Sequence, residues 1–293
     1  MRNGAQRNVA MLLAAAAVSA SFAATAEDPS GVPPALDRLD AVASCYHALS
    51  LSPPAIEDGH AYFVLLDQTT LFDASLKQTI TTATRTNMRA STQFTIATFS
   101  AFLGDHYTDI VVAGRTETPL SQAERDDTSK PKLRNLDLCM THQIDYARRI
   151  SEAALQKSFG GASAEIARSD ILASLYDFAT HVVHPSTARS KTLLMASDML
   201  ENSSLSSFYS HRSVRKLDPA AELKKVRDKG LIPDLTGVRI FVVGAGLLDP
   251  QSAGTYRDAQ TMLSLEGFWG AYFKEAHAQL VEFGKPQLLG QVQ

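Results

Sequence analysis

The chain has 293 residues, is 45% hydrophobic and 20% charged, and carries a formal net charge of −3. That size and balance suit a globular protein with one large core or two small ones. The mildly negative charge argues against a nucleic-acid partner, which needs a basic face.

In chain order, residues 1–26 read as a secretory signal peptide. Arg2 and Arg7 give a positive start, an Ala-rich apolar run extends from Val9 to Phe22, and Ala24-Thr25-Ala26 fits a small-x-small cleavage site. The alternative is an uncleaved anchor, for which the run is short and Ala-rich. Cleavage after Ala26 would change the formal charge from −3 to −5 and export the remainder, to a periplasm or outside the cell. No second apolar run of membrane-spanning length follows. Residues 27–60 form a polar leader and a short amphipathic helix, predicted over 35–51 and broken by Ser52-Pro53-Pro54. Residues 61–293 form the main α/β domain. Cys45 and Cys139 both lie in the exported part, as one disulfide or as two buried thiols.

Tyr62 to Leu66 is a continuous apolar run ending on Asp67, which predicts a strand buried on both faces of a parallel sheet. A helix is predicted over 74–89, then strands over 93–100 and 108–114, paired as a hairpin or at the sheet edge. Residues 115–132 are charged and polar and read as a loop or a partly disordered excursion. A helix is predicted over 133–159, and a second over 171–181 with Ser169 as its N-cap. Residues 191–196 (KTLLMA) read as a buried strand ending at Ser197-Asp198, and 201–229 as a polar, Ser-rich stretch. Residues 238–244 form a further strand. The chain closes on an amphipathic helix carrying Leu265, Phe268, Trp269, Tyr272, Phe273, Ala276 and Leu280. Strands alternating with helices imply a doubly wound, mainly parallel sheet with helices on both faces.

Asp67 and Thr69 after the first strand, Ser169 before a middle helix and Asp198 after a later strand fall in a recognisable order. The pattern resembles the von Willebrand factor A-like domain, from about Ala61 to Phe283. That family uses Asp-x-Ser-x-Ser after the first strand, a Thr before a middle helix and an Asp after a later strand as a metal-ion-dependent adhesion site. Asp67 matches the first Asp and Thr69 stands for the first Ser, whereas Leu71 occupies the second Ser position and offers no hydroxyl. Ser169-Asp170-Ile171 is similar to the family's Thr-Asn-Ile helix start, with Ser for Thr. The resemblance implies a doubly wound fold and a Mg²⁺ site built from Asp67, Thr69, Ser169 and Asp198. It also implies a non-enzymatic module that binds a protein ligand at the top of the sheet. Mg²⁺ takes oxygen ligands and keeps several waters, so such a site tolerates one missing hydroxyl. The other reading of Asp67 and Asp198 is helix capping, where free N–H groups favour carboxylates.

Other signals point elsewhere. Leu65-Leu66-Asp67-Gln68-Thr69 also resembles the haloacid-dehalogenase motif, but Thr69 stands where that family carries its second Asp, the proton-transfer group. A metal-assisted, phosphatase-like hydrolase using Asp67 and Asp198 is the alternative function. Gly244-Ala245-Gly246 lacks the third glycine of a dinucleotide fingerprint and follows a late strand, so it reads as a turn. His181 and His184 read as the cationic end of a helix. Arg212, Arg215 and Lys216, near Tyr209, read as a solvated basic face.

Overall fold

The computed structural model describes residues 41–54, 59–103, 106–163, 168–210, 213–247 and 259–292. By its contacts the chain divides into Met1–Val32 and Pro33–Gln293, and the described residues all belong to the second unit. The expected signal peptide over 1–26 lies outside the described residues, as does the start of the helix expected over 35–51. What is described of that helix is one turn, α1 (Cys45–Ala48), capped by Ser44.

The long apolar run forms β1 (His60–Asp67), buried along its whole length. It is followed by α2 (Ala74–Asn87), whose N-cap Asp73 accepts the Leu76 amide at 2.8 Å. Next come β2 (Thr92–Leu103) and β3 (His106–Arg115), antiparallel to each other with a register shift between Ile96 and Ala97. The segment expected to be a loop over 115–132 instead contains α3 (Gln122–Asp126) and the start of α4 (Lys130–Gly161). The physical reason is local. Ser121 and Glu124 make a reciprocal capping box, and Pro131 sits in the first turn of α4, where its missing N–H costs nothing.

Helix α5 (Ile171–Phe178) ends earlier than expected and passes into a π turn, Ala179–Val183. Strand β4 (Ser190–Ala196) follows. The polar stretch over 201–229 then holds a small hairpin, β5 (Tyr209–Ser210) with β6 (Ser213–Val214), and α6 (Pro219–Asp228). Its charges hid the helix. Glu222 is buried yet paired with Arg215 at 2.8 Å and Lys225 at 3.0 Å, while Asp218 caps the start with Pro219 behind it.

After β7 (Val238–Val243), the closing helix α7 (Ala259–Glu275) stops at Glu275, short of the expected Leu280. His277 has a φ of +59°, the chain turns, and Leu280 lies in a sixth strand of the sheet, β8 (Gln279–Phe283).

The sheet order is β3-β2-β1-β4-β7-β8, parallel throughout except for β3 at the edge. This is a doubly wound α/β fold. Alternate residues of β1 face opposite layers. Ala61, Phe63 and Leu65 pack with α5 and α7, whereas Tyr62, Val64 and Leu66 pack with α2 and α4. A third, small cluster joins Cys45 and Tyr46 to Leu136 and Met140 of α4. There Cys45 and Cys139 are bonded as a disulfide, with Cα atoms 5.8 Å apart. Among the described residues, no helix is long and apolar enough to cross a membrane.

Candidate functional site

In an open parallel sheet, ligands bind beyond the carboxyl ends of the strands, where the strand order reverses. Here the reversal falls between β1 and β4, whose last paired residues are Leu66 and Ala196. Asp67 ends β1 at that point, and Ser197-Asp198 follow β4.

The Asp67 side chain is wholly buried. Its Oδ1 accepts the Thr69 amide at 2.9 Å and the Thr69 hydroxyl at 2.6 Å. Its Oδ2 accepts the Ser197 hydroxyl at 2.8 Å and the Ser169 hydroxyl at 3.2 Å. Three separate chain segments therefore converge on one carboxylate and fill its acceptor capacity of about four hydrogen bonds. Burial pushes the Asp67 pKa up, and the bonds from Thr69, Ser197 and Ser169 pull it back.

Asp198 lies beside this group. Its Oδ1 accepts the Leu200 amide at 2.8 Å and its Oδ2 the Tyr209 hydroxyl at 2.9 Å. Its own amide donates to the buried Thr70 hydroxyl at 3.1 Å, which ties the end of β4 to the loop after β1. Its carbonyl accepts the Gly246 amide at 2.7 Å. The Gly244-Ala245-Gly246 turn thus supports this loop. At Gly244, with φ +100°, a Cβ would stand 3.1 Å from the Ser197 carbonyl oxygen, so the turn requires glycine there. Met199, next to Asp198, holds a φ of +60°, and its carbonyl accepts the Trp269 indole N–H at 2.9 Å.

The four residues singled out from the sequence therefore fall in one place, but two local expectations change. Ser169 is not the cap of α5. Asp170 is, accepting the Ala173 amide at 3.2 Å, and this leaves the Ser169 hydroxyl to Asp67. Nor do Asp67 and Asp198 cap helices: Asp73 caps α2, and the residues after Asp198 are not helical. Leu71, which replaces a coordinating hydroxyl in the resemblance, is exposed.

Two members of the site carry no sequence signal of their own. Ser197 reads only as a strand end. Tyr209 reads as a neighbour of basic residues, yet its hydroxyl is held far above its ordinary pKa by burial first, then by Asp198, then by Asp67. Glu201, three residues after Asp198, is wholly buried against the start of α5, where Oε2 accepts the Leu172 amide at 3.1 Å and Oε1 has no hydrogen-bond partner among the described residues. Burial, with Asp170 adding repulsion, pushes its pKa up to about 8. A lone Glu in a Ser-rich run carries no periodic signal that would reveal such burial.

Chemically the cluster offers oxygen alone: the Asp198 carboxylate and the hydroxyls of Thr69, Ser169 and Ser197, which Asp67 orients with its own oxygens already taken. That donor set suits a hard cation such as Mg²⁺. Each hydroxyl spends its proton on Asp67 and keeps a lone pair, although Ser197 Oγ also accepts the Met199 amide at 2.9 Å. Among the described residues, no group of three or more His, Cys, Asp or Glu side chains is placed to hold a metal ion. A cation here would therefore depend on hydroxyls and water. The other candidates are engaged locally. His181 Nδ1 lies 3.0 Å from Asp177, Arg215 pairs with Glu222, and Lys216 reaches Gln260 at 3.0 Å. Arg212 lies outside the described residues.

No family model and no curated relative matches the sequence. Among solved structures, the chain is similar to an aerotolerance-related membrane protein from Bacteroides fragilis, with 10% identity and a TM-score of 0.36, covering 78% of this chain and 92% of that one. It is similar to the VWA domain of SpRpn10, with 11% identity and a TM-score of 0.36, covering 81% and 92%. It is likewise similar to the conserved hypothetical protein BatB from Bacteroides thetaiotaomicron, with 12% identity and a TM-score of 0.35, covering 77% and 90%. The doubly wound assignment stands on this protein's own strand order.

Proposed function

We propose that this protein is an exported binding module that engages a protein ligand at the carboxyl end of its sheet. Asp67, Thr69, Ser169 and Asp198, joined by Ser197, would hold a Mg²⁺ ion beneath the contact, Asp67 acting through the hydroxyls it orients, and the ion would complete it. The ion would supply a positive charge to which a carboxylate of the partner coordinates, while the chain's own oxygens hold it in place. The observation that carries this reading is the convergence of three hydroxyls, from three segments, on the buried Asp67 carboxylate at the point where the strand order reverses. A buried carboxylate is costly to hold, and burial of this one raises its pKa. Such a cost is more often met at functional sites than in a plain core. Export is supported by the Cys45–Cys139 bond, since stable disulfides belong to oxidising compartments.

Calorimetric titration with Mg²⁺, Mn²⁺ and Ca²⁺ tests the ion. Saturable binding that Asp67→Ala abolishes, while the variant keeps its circular dichroism, is the expected result. Identical melting with and without each ion, and no heat of binding, would remove the ion from the proposal. Phosphate-ester turnover lost in Asp67→Asn would replace the binding role with hydrolysis.

A further inference from the structure

Both carboxylates of the site are buried, Asp67 completely and Asp198 to within 5% of its surface, so a ligand reaches them only if something moves. Tyr209 is the half-buried residue whose hydroxyl donates to Asp198 Oδ2 at 2.9 Å. It begins β5 of a two-stranded hairpin that is separate from the main sheet. The hairpin is held from behind. Arg215 donates its amide to the Phe208 carbonyl at 2.7 Å and its guanidinium to Ser207 and Glu222, and Glu222 also binds Ser206 at 2.7 Å. These contacts fix the base of the hairpin to α6. Tyr209 itself is carried forward onto the acidic oxygens.

We infer that Tyr209 is a latch, an intramolecular hydroxyl that occupies Asp198 in the resting protein and must leave before a cation, and the partner behind it, can engage that carboxylate. This rests on the ion-dependent reading proposed above and adds its regulation. The physical argument is competition for one acceptor. A hydroxyl bound to Asp198 satisfies Oδ2 at short range, so a cation gains only the difference between its own coordination and the bond it displaces. A hydrogen bond to an ionised group is among the stronger side-chain bonds, and removing it biases the site toward the open arrangement. The moving part is the half-buried Tyr209 side chain, since the base of the hairpin stays fixed to α6.

The test is Mn²⁺ titration of the full-length protein, followed by calorimetry, for wild type, Tyr209→Phe and Tyr209→Leu. The first variant keeps the ring and loses only the hydroxyl. The second keeps apolar bulk and guards against a misfolded first, with melting curves confirming that both fold. Affinity about tenfold tighter in the variants than in wild type is expected, on the scale of one lost charge-assisted bond. Equal affinity in all three proteins overturns the latch and leaves the ion site standing. Weaker affinity in the variants makes Tyr209 a ligand and also overturns it. Absence of binding in all three overturns the latch together with the ion reading.

Discussion

Asp67 and Glu201 show how one residue sets the local balance. Asp67 is tolerable in the core because each of its oxygens takes two hydrogen bonds. Ser197→Ala removes one of these from a buried carboxylate and is expected to cost about 1–3 kcal/mol at neutral pH. The same variant in denaturant unfolding should lose less against wild type once Asp67 is protonated. A loss that does not change with pH would show that the Ser197 bond is structural only. Glu201 has the opposite problem, with one oxygen unpartnered among the described residues and a pKa pushed by burial to about 8 against an ordinary 4.5. Between those values the folded protein keeps a proton that the unfolded chain has released, so stability falls as pH rises through the window. Glu201→Gln retains an acceptor for the Leu172 amide and is expected to flatten that fall, read from urea midpoints at pH 5, 7 and 8.5. His60 works the other way. Burial first, then Arg89, lowers its pKa from 6.5 to about 4, so its share of stability is present above 6.5 and is lost as pH falls toward 4.

At the scale of elements, legibility depended on whether local pattern and burial agreed. Strand β1 was read from its apolar run because a parallel strand covered on both faces has no polar side to show. Helix α6 is hidden because its buried residues include Glu222, a charge that its partners Arg215, Lys225 and Ser206 make acceptable. Strand β8 reads as part of α7 because Leu280 continues the helical spacing, and the turn at His277 separates the two. Helix α7 also reaches the site, through the bond from Trp269 Nε1 to the carbonyl of Met199. Met199 sits at a φ that a side chain makes unfavourable, so this bond holds a strained residue next to Asp198. Trp269→Phe keeps most of the aromatic packing and leaves that carbonyl unpaired. It is expected to cost about 1–3 kcal/mol in chemical denaturation. A variant as stable as wild type would mean that the 199–208 loop is fixed by other contacts, such as the bond from Phe208 N to Glu201 O.

Across the whole molecule, the Cys45–Cys139 bond ties the segment before β1 to α4 over a separation of 94 residues. Glu117 and Gln143 reinforce the same junction: Glu117 accepts the Cys45 amide at 2.8 Å and Gln143 donates to the Ala43 carbonyl at 2.9 Å. Replacing both cysteines by serine is expected to lower stability by about 2–4 kcal/mol. The urea midpoint reads this, and an unchanged midpoint would show that Glu117 and Gln143 hold the junction alone. The sequence by itself determined the layered α/β class, the central strand and the residue types at its carboxyl end, because hydrophobic periodicity and strand-end chemistry are local properties of the chain. Only the tertiary structure decided which oxygens meet. Ser197 and Ser169 are 130 and 102 positions from Asp67, and Tyr209 finds Asp198 from a hairpin with no periodic signature. Strand order places those segments together, and no spacing along the chain encodes a contact that exists only after the sheet has formed.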